Sequence, residues 1–194
     1  MTKLRYSILA AALPIAGASA LLAAPTPVPA SGFDSIELTG GGRVSVRHGE
    51  SHRVTLLHGD LRTSRVEVVR DGDGDPRLVI QACRSSCRDY RLEVEVVTPR
   101  LDAASIRGGG EIEIEGIFPD RESIALAVTG GGEIDARPLR AASVVAAVRG
   151  GGTIRAEPRE SLVAAVSGGG SILYSGSPNV VQSVSGGGEV TRAR

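Results

Sequence analysis

Residues 144–154 read Val-Val-Ala-Ala-Val-Arg-Gly-Gly-Gly-Thr-Ile, and this pattern returns throughout the C-terminal half of the chain. Glycine triplets recur there at nearly even spacing: Gly108–Gly110, Gly130–Gly132, Gly150–Gly152, Gly168–Gly170 and Gly186–Gly188. An earlier copy, Gly40–Gly42, stands apart near the start. A fixed period of about 20 residues is typical of repeat architectures, in which each unit stacks on its neighbours.

Each triplet sits in a constant frame of aliphatic residues. Two positions before it stand Ile106, Val128, Val148, Val166 and Val184, and two positions after it stand Ile112, Ile134, Ile154, Ile172 and Val190. Alternation with a period of two predicts β-strands on both sides of the triplet. Prolines lie between the triplets, at Pro119, Pro138, Pro158 and Pro178. Because proline donates no ladder hydrogen bond, each repeat is predicted to be a strand, a glycine corner, a strand and a proline-containing corner.

Two architectures fit this pattern. In a β-solenoid, equivalent strands of successive coils stack in parallel, whereas in an antiparallel meander each triplet is a hairpin loop. The solenoid is favoured because it places like residues over like residues and needs corners that reach positive φ without a Cβ clash. On this model a substitution such as Gly151→Val would destabilise the stack.

Residues 1–30 have the organisation of a secretory signal peptide. Lys3 and Arg5 precede an apolar run from residue 8 to residue 24. Small residues suit cleavage after Ala30, and a second suitable cut follows Ala20. A retained membrane anchor is the alternative, but the run is near the lower length limit for spanning a bilayer. We therefore predict no integral membrane span after cleavage, and no lipoprotein anchor because no cysteine lies near the cut.

Residues 31–194 are predicted to form one domain. Residues 31–100 show less regular strands, residues 101–194 hold the regular repeats, and no window has helical periodicity. The 22 basic and 22 acidic residues of the chain balance, and loss of Lys3 and Arg5 leaves it slightly acidic. This charge balance argues against nucleic acid as a partner, and we predict no cofactor.

The order of these features resembles one known family. Phe-Asp-Ser-Ile-Glu-Leu at residues 33–38 is followed by several strands, a Thr-Pro-Arg-Leu turn at residues 98–101, and glycine repeats. This arrangement resembles the head GIN domain family, which carries the label of an autotransporter adhesin. The resemblance implies a right-handed parallel β-helix-like solenoid in the periplasm, on the outer envelope surface or outside the cell. It implies no catalytic residues.

Cys83 and Cys87 are separated by Arg-Ser-Ser. In an exported protein a pair this close is most simply a local disulfide, and its short loop would contribute about 2 kcal/mol. A redox-active or metal-binding pair is the alternative, although no third cysteine or histidine completes a zinc set.

Asp71, Asp73 and Asp75 alternate like the opening of a calcium loop. The pattern then fails, because Pro76 stands where that loop needs glycine and Ala82 where it needs glutamate. Asp-Gly pairs between strands favour a turn, with a weak cation site as the alternative and no metal site predicted.

His48, His52 and His58 are expected on the solvated surface. Glu111, Glu133 and Glu189 each follow a glycine triplet. Paired carboxylates on a β-helix can indicate a glycoside hydrolase, but this column has no acid–base partner and is expected to be a solvated face.

A set of apolar residues falls on the outward side of the predicted strands. If Val144, Ala146 and Val148 point inward, their neighbours point outward. The resulting outward stripe contains Ala125, Ala127, Val145, Ala147, Val163, Ala165 and Val181. A solvated sheet face should be polar there, so the stripe is either covered by other parts of the chain, such as the N-terminal strands, or is an interaction surface.

Two classes of function remain open on the sequence. The favoured one is a non-catalytic exported module that acts through surface association, with a second copy or an envelope protein as partner. The alternative is an enzyme that acts on polysaccharide. Arg192 and Arg194 flank the last strand, near Val190, as charges do where strand addition is discouraged. We therefore predict lateral association through the stripe rather than association end to end.

Overall fold

The structure, a computed structural model, describes residues 25–70, 75–83 and 91–193. Within these ranges every regular element is a β-strand, and no helix has the length and apolarity to cross a membrane. The strands are β1 (Thr26–Val28), β2 (Ser35–Gly40), β3 (Arg43–His48), β4 (Arg53–His58), β5 (Arg65–Arg70), β6 (Pro76–Gln81), β7 (Glu93–Thr98), β8 (Ala103–Gly108), β9 (Glu111–Glu115), β10 (Arg121–Gly130), β11 (Glu133–Ala136), β12 (Ala141–Gly150), β13 (Thr153–Ala156), β14 (Ser161–Gly168), β15 (Ser171–Tyr174), β16 (Asn179–Ser185) and β17 (Glu189–Arg192).

The strands form two sheets. The nine-stranded sheet has the order β1-β4-β7-β3-β9-β11-β13-β15-β17, and the eight-stranded sheet has the order β16-β14-β12-β10-β8-β2-β6-β5. From β8 onward the chain alternates between the sheets, so each repeat contributes one strand to each. Every glycine triplet therefore lies where the chain passes from the eight-stranded sheet to the nine-stranded sheet.

Equivalent strands of successive repeats pair in parallel and in register. Ala125 of β10 is opposite Ala103 of β8 and Val145 of β12, and Val163 of β14 is opposite Val181 of β16. The all-β class and the parallel stacking predicted for this half are confirmed. The meander is wrong here, because a hairpin loop at each triplet would have made neighbouring strands antiparallel.

The N-terminal part departs from a wholly parallel stack. Strands β2 and β3, which flank the early triplet, lie between the pair β6 and β7 and the pair β8 and β9. Beyond them β4 pairs antiparallel with β7 and with β1, and β5 pairs antiparallel with β6. The sheets are thus mixed, because β4 and β5 run against the stack where they cover its first parallel strands.

Strand β1 lies upstream of the predicted cut after Ala30. Thr26 to Val28 pair with Leu56 to Val54 of β4, and Val28 is 8% exposed. Cleavage after Ala30 would remove this strand, whereas cleavage after Ala20 would keep it.

The core lies between the sheets and is filled by small and medium side chains. Val144, Ala146 and Val148 of β12 are all buried, as the alternation predicted. Phe33 and Phe118 are the largest fully buried side chains. The valines that alternate with the mid-strand alanines face outward, because successive side chains of a strand point to opposite faces.

The three glycines of one triplet have different surroundings. Gly150 has a φ of +116°, and a Cβ there would lie 2.6 Å from the carbonyl oxygen of Gly130. A Cβ at Gly152 would lie 2.4 Å from a methyl group of Val128. A Cβ at Gly151 would meet nothing within 4 Å. The expectation that Gly151→Val destabilises the stack was wrong, since the constraint falls on the first and third glycines.

Alanine substitutions within this triplet test the assignment. Gly150→Ala should lower the free energy of unfolding by about 1–3 kcal/mol, because it forces a residue with a Cβ into a left-handed backbone and against the neighbouring carbonyl. Gly151→Ala, the matched control, should change it by less than about 0.5 kcal/mol. Urea unfolding of both variants measures the difference, and equal losses at the two positions would contradict the stacking geometry.

Candidate interaction face

The outward stripe lies on the eight-stranded sheet. The pairing of β10, β12, β14 and β16 places Ala125, Val145, Val163 and Val181 in one column, at neighbouring positions of adjacent strands. The next column contains Ala127, Ala147 and Ala165 and ends at Ser183. The register thus brings all the predicted stripe residues together.

The stripe is open to solvent. Val145 is 47% exposed, Val163 45% and Val181 67%, while the inward residues beside Val145 and Val163 are buried. Ala125, Ala127 and Ala165 are also exposed, and Ala147 is half-buried. Within the described part of the chain the N-terminal strands pack on the opposite end of the stack and leave these valines uncovered.

The columns beside the stripe are polar but almost free of charge. One side has Ser123, Ser143, Ser161 and Asn179, with the Ser161 hydroxyl donating to Ser143 Oγ at 3.0 Å. The other side has Thr129, Arg149, Ser167 and Ser185. We call the outward residues from the Ser123–Asn179 column to the Thr129–Ser185 column of β10, β12, β14 and β16 the uncharged face, and Arg149 at its rim is the ionised side chain within these bounds.

An ion cluster bounds this face on the N-terminal side. Glu37 of β2 is 8% exposed and lies 3.2 Å from Arg77 and 3.1 Å from Arg107, both on neighbouring strands. Two arginines flanking one carboxylate neutralise it where it is partly withdrawn from water. This cluster could not be predicted from the sequence, because its three residues are far apart in the chain and meet only through the pairing of β6, β2 and β8.

The nine-stranded sheet has the opposite character on its outward side. Arg43 lies 2.9 Å from Glu111, Arg47 lies 2.8 Å from Glu115, and Arg155 pairs with Glu133. The hydrogen bond to Glu115 raises the pKa of Arg47. Exposed pairs of this kind contribute little to stability because water screens them, so their main effect is a well-hydrated surface. Glu111 and Glu133 are therefore solvent-facing as expected, but ion-paired.

The histidines lie apart and have separate partners. His52 is half-buried, with Nε2 at 2.7 Å from the Phe33 carbonyl oxygen, and His48 packs edge-on against Phe118. His58 Nδ1 lies 2.9 Å from a Glu93 carboxylate oxygen. The expectation that all three are simply solvated was wrong for His52, whose ring fixes the start of the domain.

The remaining sequence candidates fall largely outside the described residues. Cys83 follows β6, but Cys87 lies outside the described residues, so the disulfide stays a prediction. Asp71 and Asp73 also lie outside them, and Asp75 precedes β6. Among the described residues no group of three or more His, Cys, Asp or Glu side chains is placed to hold a metal ion.

A groove lies at the proline-containing connections, on the side away from the glycine triplets. Its lining includes Glu113, Asp135 and Glu157, and Asp135 is paired with Arg137. The hydrogen bond that the Arg137 guanidinium donates to the Asp135 carboxylate raises the pKa of Arg137. Ile117, which is 86% exposed, stands at the rim after Gly116 and was not identified from the sequence. This groove brings several carboxylates together on the surface.

Comparisons with known proteins agree with the sequence resemblance. Residues 120–178 match the family model described as "Putative auto-transporter adhesin, head GIN domain". This confirms the resemblance to the head GIN family over that part of the chain. No curated protein matches the sequence.

Solved structures of similar shape carry related descriptions. A "putative adhesin" from Bacteroides fragilis is 22% identical, with a TM-score of 0.50 over 87% of this chain and 95% of its own. A "putative lipid binding protein" from Parabacteroides distasonis is 17% identical, with a TM-score of 0.38 over 88% of this chain and 96% of its own. At such identities the Bacteroides structure shows a shared fold and nothing about the ligand.

Proposed function

We propose that this chain is an exported, non-catalytic, adhesin-like β-solenoid module that acts by surface association through the uncharged face. One observation carries the proposal: valines and alanines stand exposed in register on four adjacent strands. Desolvating such a face costs little, because it contains few groups that must give up bound water. The charged outward side of the other sheet keeps the module hydrated while the uncharged face is occupied.

We further propose that the stack is a right-handed parallel β-helix-like solenoid with the glycine triplets as its corners. The support is the general rule that crossovers between parallel strands of one sheet are right-handed in about 98% of cases. Strands β10, β12 and β14 are linked through β11 and β13, which is a crossover of this type.

The proposed occupant of the uncharged face is a second copy of the chain. Two identical faces related by a two-fold axis present no acidic residue to each other, and only the two Arg149 side chains would need to remain at the rim. Four strands about 4.8 Å apart and seven residues at about 3.3 Å give a face on the order of 400 Å². Two such faces bury less than the roughly 1,200 Å² of stable complexes, so the lateral dimer is weak and concentration-dependent.

The alternative function, an enzyme on polysaccharide, would use the carboxylates of the groove near Ile117. The adhesin description of the family model that matches residues 120–178 supports the non-catalytic proposal instead. Release of reducing sugar from envelope polysaccharides by the purified chain, lost in Glu113→Gln, would favour the enzyme and contradict our proposal.

The start of the exported chain is a first prediction of this function. We expect cleavage after Ala20, because β1 then remains paired with β4. N-terminal sequencing of the periplasmic or culture fraction should read Leu-Leu-Ala-Ala from Leu21. A start at Ser31 would mean that β1 is lost on export, and an intact Met1 in the cytosolic fraction would refute export itself.

The stripe itself gives a second prediction. Val145→Asp with Val163→Asp should remove the lateral dimer, because four carboxylates would face one another across the interface. Sedimentation velocity over a wide concentration range should show a lower average mass for the variant than for the parent protein at the same concentration. The far-ultraviolet circular dichroism should be unchanged, since both side chains point to solvent.

A matched control places the same charges on the opposite sheet. Leu173→Asp with Thr191→Asp adds two carboxylates on β15 and β17, and this variant should dimerise like the parent. If both double variants dissociate equally, general charge repulsion and not the uncharged face controls assembly. If the parent protein shows no concentration dependence, the lateral proposal is wrong.

A further inference from the structure

The two ends of the strand stack differ in their capacity to accept another strand. At the N-terminal end the edge of the nine-stranded sheet is β1, which contains Pro27 and is flanked directly by Pro25 and Pro29. Proline has no N–H, so one edge of β1 lacks donors while the other edge pairs with β4. Alternate prolines on an edge strand block further strand addition in this sheet.

At the other end the edge of the eight-stranded sheet is β16, which reads Asn-Val-Val-Gln-Ser-Val-Ser. It contains no charged residue and no proline, and nearly all of it is exposed. Val184 faces the interior column that Val148 and Val166 occupy in earlier repeats, yet it is 42% exposed because no further strand covers it in the described structure. A long, uncharged edge of high β-propensity is the kind that pairs with another strand.

Arg192, which was expected to discourage strand addition at this end, forms a hydrogen bond within its own chain. Arg192 lies on β17 in the other sheet, and its Nη2 donates to Ser177 Oγ at 2.8 Å. The guanidinium is thus turned onto the preceding loop of its own chain. The expectation that this charge discourages strand addition concerned the edge near Val190 on β17, whereas β16 in the other sheet has no charge of its own.

The hydrogen-bond pattern identifies the free donors of β16. The Asn179 N–H donates to the Glu160 carbonyl oxygen at 2.8 Å, toward β14. Successive residues of a strand direct their N–H groups to alternate sides. Val181 and Ser183 therefore donate toward β14, and Val180, Gln182 and Val184 direct their N–H groups away from it.

We propose that β16 pairs antiparallel with β16 of a second copy, joining two molecules by their C-terminal ends. A register centred on Gln182 places Val180 opposite Val184 of the copy, so free donors meet free acceptors and interior valines meet interior valines. Head-to-tail addition would place β17 of one molecule beside β1 of the next. It is disfavoured because the proline edge of β1 offers no N–H donors to that strand. The end contact is separate from lateral pairing, and it makes the two uncharged faces continuous.

Amide hydrogen exchange measured by nuclear magnetic resonance tests this pairing residue by residue. With an open edge, Val181 and Ser183 are protected and Val180, Gln182 and Val184 are not. We expect protection of the latter three amides to appear and to rise with the concentration of the exported chain. Unprotected amides at these three positions at every concentration would overturn the proposal, whatever happens at the uncharged face.

Two variants at Gln182 distinguish the contribution of the backbone N–H to assembly from that of the side chain. Gln182→Pro removes one outward N–H and leaves the N–H groups toward β14 in place, whereas Gln182→Ala removes the same side chain and keeps the donor. In sedimentation equilibrium the proline variant should show a lower average mass than the parent, and the alanine variant should match the parent. Retained protection of Val181 and Ser183 shows that β16 is still folded.

Other results of the same experiment would contradict the proposal. Equal average masses for the proline variant and the parent would show that β16 takes no part in assembly. Protection of Val180, Gln182 and Val184 only after an unrelated extended peptide is added would identify a foreign strand as the occupant instead of a second copy.

Discussion

The structure depends on a backbone hydrogen-bond ladder that continues through the glycine triplets. The Gly131 N–H donates to the Gly108 carbonyl oxygen at 2.9 Å, and Gly151 and Gly169 repeat this contact with Gly130 and Gly150 at 2.9 and 3.0 Å. The residue after each triplet does the same, as with Thr153 and the Gly132 carbonyl oxygen at 2.9 Å. Side chains at the first or third glycine would separate these backbones, so the spacing of the strands depends on their absence.

Close stacking at the triplets determines what the two sheets present to solvent. Because every repeat is held in register with the next, one outward position becomes a column of like residues. On one sheet the columns are arginines and glutamates that pair with each other, and on the other they are serine, alanine and valine. A repeat that stacks so regularly therefore creates a broad uncharged surface on one of the two sheets.

Much of this could be predicted from the sequence, because the signals are local. The alternation around Gly150 assigned Val145 to the outside and Ala146 to the inside, and both assignments are confirmed. The antiparallel strands β4 and β1 were not predicted as such, since their pairing joins segments that no short-range pattern connects. The three residues of a triplet are all glycine, so the sequence could not show which of them has room for a side chain. A Cβ at Gly151 would meet no atom within 4 Å, whereas Gly150 has a positive φ. The open edge at β16 likewise depends on the strand order, which places β16 and β17 in different sheets.

The central claim is that hydrogen bonding continues from strand to strand through the glycine triplets. Amide exchange at Gly131, Gly151 and Gly169 tests it directly, since these middle glycines are exposed and would exchange freely in a hairpin loop. We expect the three amides to be protected from exchange to nearly the same degree as the amides of the adjoining strands. Exchange of these three amides at the rate of an unprotected chain, beside protected strands, would contradict it.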